Sequence, residues 1–348
     1  MTFSHKATPD ARLKAMARLV ADLSADDHPI LVGPWRSEVG FEALYWMPFL
    51  RKLASRVPHF DKRAAVVTRG GFAPLYKSVA SQGMDLYALR SLTEIRRENI
   101  YDHGQNRDSQ GHKTLKQLAL TPWDEAVIQD AADALSISLP YHILHPGWMY
   151  WACAPWWQET AGMSYLLNLC DFRPLEKHTI PGSTLPDRYV AVKFYARATF
   201  PYPHPEVAEF VQQTVAMIAA QAPVVILTAG SEFDDHLDIP ITGPNIQVLP
   251  AVPPEQNLAA QAAVIAGAKC FVGTYGGVAQ LALRMGVPSA SFYTEFGGTS
   301  YAHLALSGWL SARTRVPFLA GSLADSQFWK QITSVPKKAE IAPQMVSA

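Results

Sequence analysis

The stretch VGTYGGVAQLA, Val272–Ala282, decides the fold of this chain. An apolar strand runs into a glycine-rich turn, and a short helix follows that stops at Gly286 and Pro288 before another strand begins. Gly276 and Gly277 allow positive φ and let a ligand approach without hindrance from a Cβ atom. The first N–H groups of a helix lack intrahelical partners and suit an anion. The stretch therefore predicts a βαβ unit that cradles a phosphate or nucleotide, with an ordinary βαβ turn as the alternative.

Strands and helices alternate on both sides of a proline-containing segment, residues 172–187, which is the best linker candidate. This alternation predicts βαβ units with right-handed crossovers and mostly parallel sheets. The expected fold class is α/β, with two Rossmann-like domains that face each other across a cleft. The prediction assigns residues 1–175 to an N-terminal domain, 186–335 to a C-terminal domain and 336–348 to a tail. In such folds, ligands bind at the C-terminal ends of the strands.

Local patterns predict particular elements. Apolar spacing predicts a helix over Gly40–Ala54, with a kink at Pro48. A strand is expected at Asp85–Ala88. An irregular excursion is expected at Glu94–Lys116, because its charged residues show little periodicity. Thr121, followed by proline and two acidic residues, predicts a helix start.

The composition narrows the class of protein. The 348 residues carry 30 Lys and Arg against 30 Asp and Glu, and this balance argues against nucleic acid as a partner. The three cysteines, Cys153, Cys170 and Cys270, form no paired framework and fit a reducing compartment. No signal-peptide pattern opens the chain, and no apolar run reaches the length of a membrane span. We therefore expect a soluble, cytoplasmic protein.

Two carboxylates follow the first strand of the N-terminal part, where α/β active sites lie. Glu38 and Glu42 are four residues apart, so they share one face if the helix starts early. They are the candidate catalytic residues. The alternative is that they are acids at a helix N-terminus, stabilised by the helix dipole.

The residues around Glu42 resemble a known family. Glu42 lies six residues before Pro48-Phe49-Leu50-Arg51, which looks like the start of the heptosyltransferase-like (ADP-heptose:lipopolysaccharide) glycosyltransferases. There a catalytic Asp precedes a helix with a Pro-x-Leu-Arg element, and Glu42 stands at the position of that Asp. Tyr275–Ala282 is similar to the donor-site signature Asp-Thr-Gly-x-x-His-Leu-Ala of the same family, although Tyr275 and Gln280 replace its Asp and His. The resemblance implies the two-domain GT-B glycosyltransferase fold.

The first strand of the C-terminal part carries Lys193 and Arg197 near its end. The resemblance implies that this turn meets the phosphates of the sugar donor. A leaving nucleoside diphosphate develops negative charge, so fixed cations there would stabilise the transition state. Arginine can also bind phosphate through two parallel hydrogen bonds. The alternative is a surface pair of cations.

Further donor-binding candidates follow other strands of the same part. Thr228 and Gly230 are expected to line a base or ribose pocket, with a plain loop as the alternative. Glu295 is expected to bind sugar or ribose hydroxyls. The glycine-rich turn completes the predicted donor site with Thr274, Tyr275, Gly276, Gly277 and Gln280.

Acceptor binding is expected on the N-terminal part. The candidates are Trp35, Arg36 and Ser37 after the first strand, and Trp148 in a dense aromatic patch. Aromatic faces stack on sugar rings and also suit a lipid headgroup boundary, so peripheral membrane association stays open. For the aromatic patch, the alternative is that its bulky side chains pack in the core.

Together these patterns predict an inverting glycosyltransferase of cell-surface polysaccharide biosynthesis. It would transfer a sugar from a nucleotide-diphosphate sugar, its co-substrate, to a glycan or lipid-linked acceptor. Glu42, or failing that Glu38, would be the general base. No metal and no other cofactor are expected, because cations and the helix dipole replace a metal and no Asp-x-Asp element occurs. A nucleotide-sugar epimerase of the same fold, and a non-catalytic nucleotide-binding protein on a degenerate transferase scaffold, are the alternatives.

Overall fold

The first sheet of the protein is parallel throughout. The computed structural model describes residues 6–105, 117–177, 185–197, 200–228, 237–294 and 298–323, with the backbone alone for 101–105 and 298–300. The elements of its first part are, in chain order, α1 (Pro9–Leu23), β1 (Ile30–Val32), α2 (Val39–Phe41), a π-helical turn (Glu42–Trp46), α3 (Met47–Ala54), α4 (Phe60–Arg63), β2 (Ala64–Thr68), a 3₁₀ turn (Ala73–Tyr76), β3 (Gln82–Asp85), α5 (Leu86–Leu89), α6 (Leu92–Gln105), α7 (Pro122–Ala134), β4 (His142–Leu144), α8 (Gly147–Trp157) and α9 (Met163–Leu169). In the described residues, the strands pair in the order β3-β2-β1-β4.

A second parallel sheet follows along the chain. Its part of the protein contains β5 (Val190–Lys193), β6 (Tyr195–Ala196), α10 (Pro205–Ala219), β7 (Val224–Ile226), β8 (Leu237–Asp238), β9 (Ile246–Val248), α11 (Pro254–Gly267), β10 (Cys270–Thr274), α12 (Gly277–Arg284), β11 (Ser289–Tyr293), α13 (Gly298–Thr314) and β12 (Phe318–Ser322). Within the described ranges, six strands pair in the order β12-β11-β10-β5-β7-β9, all parallel. Strands β6 and β8 form a separate antiparallel ribbon.

Both sheets are wound in the same way. Counted along the chain, the second sheet has the doubly wound strand order 3-2-1-4-5-6, and the first has the order 3-2-1-4. Strand residues such as those of β1 and β2 are buried on both faces, as expected where helices cover a parallel sheet. The predicted α/β class with two Rossmann-like parts is confirmed. The exact domain boundaries predicted from the sequence stay a prediction.

The two parts pack against each other where α12 contacts α2 and the π-helical turn. One hydrophobic cluster runs through both parts. Arg284 at the end of α12 donates to the carbonyl oxygens of Ala43 (3.2 Å) and Phe172 (2.6 Å), and Leu175 N–H donates back to the Arg284 carbonyl (2.8 Å). Phe172 and Leu175 are buried, so the start of the predicted linker is packed chain. Arg51 of α3 binds the next carbonyls of the same segment, those of residues 173 and 174.

Several predicted elements differ in the structure. The strand predicted at Asp85–Ala88 is wrong, because the strand ends at Asp85, whose carboxylate caps α5 by accepting from Tyr87 N–H. The irregular segment predicted from Glu94 is helical as far as Gln105, and residues 106–116 lie outside the described residues. The helix start at Thr121 is confirmed, with a reciprocal capping box.

The helix predicted over Gly40–Ala54 is present, with an irregular turn in its centre. It runs from α2 through the π-helical turn into α3, where Pro48 is near the first position. Proline has no N–H to donate to the preceding turn, and its ring crowds the carbonyl four residues earlier. The wider π-helical turn lies just before Pro48, where a kink was predicted.

Candidate functional site

The C-terminal ends of β5 and β10 adjoin at the switch point of the second sheet, where ligands bind in doubly wound folds. Lys193, the last residue of β5, is buried, and its Nζ lies 2.9 Å from Gln261 Oε1 and 3.2 Å from Asp238 Oδ1. Asp238 reaches this position because β8 pairs with β6, immediately after β5. Thr274 Oγ1 accepts from Tyr195 N–H at 3.1 Å and ties the ends of the two strands together. The backbone here is therefore fixed before any ligand arrives.

The first sheet turns its own C-terminal strand ends towards the same place. Glu38 is the N-cap of α2, with extended backbone. Arg69 directly follows β2, and its guanidinium Nη2 donates to the Ser37 carbonyl at 2.7 Å. Gly70, the next residue, accepts at its carbonyl from Ala259 N–H of α11 at 2.8 Å, so this loop contacts the second part. Both parts thus contribute strand ends to one cleft.

A cavity lies in this cleft. Its lining combines three cations, two carboxylates, two tyrosines and two amides with apolar and glycine residues from both parts. The lining residues are Glu38, Val39, Gly40, Arg69, Tyr87, Lys193, Tyr195, Arg197, Asp238, Pro254, Asn257, Leu258, Gln261, Gly277 and Val278. Its space, including the part that opens to solvent, is about 680 Å³. Two Rossmann-like parts with a cavity between the C-terminal edges of their sheets form the arrangement of the GT-B class.

Glycines bring helix α12 against this cavity. A Cβ on Gly277 would lie 2.6 Å from Gly40 N and 2.6 Å from Val39 Cγ1, so the two parts approach here at backbone distance. A Cβ on Gly276 would lie 2.2 Å from the Tyr195 hydroxyl. Gly277 and Val278 at the start of α12 line the same cavity as Lys193, and the N–H groups and dipole of a helix N-terminus favour an anion.

The structure brings four of the predicted site residues together: Glu38, Lys193, Arg197 and Gly277 line the cavity. The other described residues of the predicted glycine-rich turn lie behind the lining residues: Thr274, Tyr275, Gly276 and Gln280. Burial raises the pKa of the Tyr275 hydroxyl, whose ring packs against those of Tyr293 and Phe318. Gln280 is buried, and a Cβ on Gly40 would lie 2.5 Å from its Oε1.

Thr228, another predicted donor residue, is not among the residues that line the cavity. Thr228 directs its hydroxyl to the Leu249 carbonyl at 3.1 Å. Its own carbonyl accepts from Asn257 at 3.4 Å, so it supports a lining residue. Gly230 and Glu295 lie outside the described residues.

Glu42 is placed away from the cavity. Its side chain is fully buried, and Oε1 accepts from Thr68 Oγ1 at 2.7 Å and from the Tyr76 hydroxyl at 2.5 Å. Burial first, and then the negative charge of Glu42, raise the pKa of Tyr76 well above its usual value. The Glu42 carboxylate is thus hydrogen-bonded to buried hydroxyl groups at and after the end of β2. Its predicted role as the base gains no support from this position, whereas Glu38 lines the cavity.

The predicted acceptor residues are buried. Trp35 stacks between Trp46 (5.9 Å between ring centroids) and Tyr150 (6.2 Å), and Ser37 Oγ lies 3.2 Å from Gln117 Oε1. The placement of Trp35 corrects its prediction as an acceptor-binding residue, because its side chain is fully buried and packs in the core.

Arg36 and Trp148 are buried as well. Arg36 Nε donates to Asp124 Oδ1 at 3.2 Å, and Trp148 packs edge-on to Trp151. Burial alone would raise the pKa of Asp124, but the hydrogen bond with His145 and the charge of Arg36 hold it well below its usual value. These two predicted acceptor residues therefore also belong to the interior.

The sequence prediction missed Arg69, Tyr87, Asp238, Asn257 and Gln261. Arg69 follows a buried strand and precedes two glycines, so the rule that selected Lys193 would have found it. Asn257 and Gln261 lie one turn apart on α11 and are joined by a 2.5 Å hydrogen bond. Asp238 carries no sequence signal, because its position depends on the β6–β8 pairing.

No protein-family model and no curated protein matches the chain. Among solved structures, it is similar to a glycosyl transferase family 9 protein from Veillonella parvula, at 13% identity over 91% of this chain and 92% of that one, with a TM-score of 0.44. It is similar to the E. coli heptosyltransferase WaaC, solved with ADP, at 14% identity over 78% and 89% of the two chains, with a TM-score of 0.37. A UDP-GlcNAc 2-epimerase from Methanocaldococcus jannaschii matches at 11% identity over 88% and 99%, with a TM-score of 0.34. Within the described ranges, no helix has the length and apolar character to cross a membrane.

Proposed function

We propose that the protein is a glycosyltransferase that moves a sugar from a nucleoside-diphosphate sugar to an acceptor hydroxyl, with inversion and without a metal ion. One observation carries the proposal. The cations Lys193, Arg197 and Arg69 line the same cavity as the carboxylate Glu38, at the C-terminal ends of strands from both sheets.

The diphosphate of the donor would bind at the start of α12. Lys193 and Arg197 line the same cavity as Gly277 and Val278 of this helix end. As the bond between the sugar and the diphosphate breaks, negative charge grows on the leaving oxygen, where fixed cations and N–H dipoles lower the barrier. Asp238 and Gln261 hold Lys193 in place beforehand, so little reorganisation is needed.

Glu38 is the residue that we assign as general base. It would take the proton of the acceptor hydroxyl while that oxygen attacks the anomeric carbon, and the electron pair of the broken bond would leave with the diphosphate. Direct attack inverts the anomeric centre. Because α2 starts directly after Glu38, the base is fixed to the first part, and the cations Lys193 and Arg197 belong to the second. The two parts would thus hold the acceptor and the donor at one shared cavity.

The acceptor would be a glycan or a lipid-linked saccharide, and the reaction would take place in the cytoplasm, with peripheral association of the enzyme with a membrane. The buried aromatic residues no longer supply the acceptor surface. Tyr87 and Arg69, which line the first-part side of the cavity, take this position in the proposal.

The first test is a thermal-shift panel of nucleoside diphosphates and their sugars, with Arg197→Ala as the matched variant and Arg313→Ala as the control. Arg313 is at the end of α13, away from the cavity lining. We expect one nucleotide to raise the melting temperature of the protein and of the control, and to raise that of Arg197→Ala less. No shift with any nucleotide would refute the donor site. Epimerisation of the donor without an acceptor would favour the epimerase alternative.

A further inference from the structure

Potential metal ligands meet at the edge of the first sheet opposite to the cleft. Asp26 and His28 lie between α1 and β1, and His142 is the first residue of β4. Because β1 and β4 are parallel, their N-terminal ends adjoin, and His142 N–H donates to the Pro29 carbonyl at 2.8 Å. This register brings the two histidines to one carboxylate. The catalytic proposal uses none of these residues.

The three side chains are arranged closely enough for one ion. His142 Nε2 lies 2.8 Å from Asp26 Oδ1, and His28 Nδ1 lies 3.2 Å from the same oxygen. One ligand atom from each residue lies within 4.8 Å of the others. In a tetrahedral zinc site with bonds of about 2.0–2.1 Å, ligand atoms are roughly 3.3 Å apart. The separation of 3.2 Å matches this spacing. The separation of 2.8 Å is that of a hydrogen bond and is shorter, so small rotations of the side chains are needed to bring all three ligand atoms to the spacing of a metal site.

We propose that Asp26, His28 and His142 form a site for a divalent transition-metal ion of the zinc class. Two imidazoles and a carboxylate suit Zn²⁺, Co²⁺ and Ni²⁺, and three protein ligands leave a coordination position for water. All three side chains are partly exposed, so an ion can enter without opening the core. The bound ion would join the segment before β1 to the start of β4 and stabilise the folded protein.

The positive charge of Arg63, next to Asp26, limits the affinity of the site for a metal ion. Arg63 Nη2 lies 3.7 Å from Asp26 Oδ1, while Arg63 Nε and Nη1 donate to the carbonyls of His28 and Leu23. The guanidinium thus holds the segment in place but repels a second cation.

The test uses the full chain, freed of metal by dialysis against a chelator. Zn²⁺ binding is measured by equilibrium dialysis, and Co²⁺ binding by its visible absorption. We expect one ion per chain, a higher melting temperature with Zn²⁺, and affinity weakened more than about tenfold in His28→Gln and His142→Gln. His59→Gln, a change at an exposed histidine outside the cluster, is the control and should bind like the wild type.

Two further readouts separate the site from a loss of folding. Asp26→Asn keeps the shape of the side chain but removes the charge, so it should weaken Zn²⁺ binding while circular dichroism and nucleotide binding stay at wild-type levels. Absence of Zn²⁺ binding to the wild type would overturn the proposal. So would equal affinities of wild type, His28→Gln and His142→Gln, because the ion would then bind elsewhere.

Discussion

The substitution Gly277→Ala tests the contact that joins the two parts of the protein. The new Cβ would lie 2.6 Å from the backbone nitrogen of Gly40 and 2.6 Å from Val39 Cγ1, whereas ordinary contacts begin near 3.4 Å. Helix α12 must therefore move by about 0.8 Å, the difference between 3.4 and 2.6 Å, because backbone atoms of a helix cannot turn aside. Overpacking of this kind costs about 1–3 kcal/mol in the free energy of unfolding.

The assay is urea unfolding of wild type, Gly277→Ala and Gly308→Ala, followed by nucleotide binding. Gly308 is in helix α13, and nothing lies within 4 Å of a Cβ built there. Its change to alanine should stabilise the protein by about 0.5–1 kcal/mol, because glycine is a poor residue in a helix interior. We also expect weaker nucleotide binding by Gly277→Ala, since the residue lines the cavity. Stability within about 0.5 kcal/mol of the wild type, with unchanged binding, would refute the close contact of the two parts.

Four other predictions concern carboxylates and the buried lysine. Glu38→Gln should lower kcat by about 10²–10⁴-fold in a transfer assay and leave urea stability unchanged. Glu42→Ala should instead lower the free energy of unfolding, by about 1–3 kcal/mol for each buried hydroxyl donor left without its acceptor. Lys193→Met should weaken nucleotide binding at least about tenfold in calorimetry. Adding Asp238→Asn to that variant should recover stability without recovering binding, because the carboxylate is then no longer left without its cation. The pKa of Asp124 is held below its unfolded value, so its contribution to stability is present above about pH 4 and is lost as the pH falls further. In Asp124→Asn the acid side of the stability profile should be flatter, and an unchanged profile would contradict the role of the Arg36 pair.

Much of the fold was accessible from the sequence because local signals and tertiary packing agree there. The glycine-rich stretch after β10 and the capping box at Thr121 each specify an element without help from distant residues. Helix α6 was missed because its apolar residues lack helical periodicity, although leucine, glutamate, arginine and glutamine favour a helix. The strand predicted at Asp85 was displaced because an aspartate that caps a helix also ends the strand before it.

Only part of the site could be predicted from the sequence, because the prediction used a single rule about strand ends. Parallel strands end at one edge, so residues at the end of a strand or in the loop after it, such as Lys193 and Glu38, could be selected from the sequence. Asp238 could not be selected in this way. It lies next to Lys193 because β6 and β8 form an antiparallel ribbon, and no sequence periodicity predicts that ribbon. The burial of Trp35 was equally hidden, since an aromatic side chain after a strand has the same sequence signal whether it faces a sugar or a core.

The choice between the two glutamates depends on the irregular start of their helix. Residues four apart share a face only inside an α-helix. Glu38 is the N-cap with extended backbone, and Glu42 begins a π-helical turn, where each turn takes up roughly one more residue than an α-helical turn. Counting back six positions from Pro48 therefore leads to a residue that faces Thr68 and Tyr76 at the end of β2. The residue one turn earlier reaches the cavity, and for this reason we expect loss of turnover to follow Glu38 and loss of stability to follow Glu42.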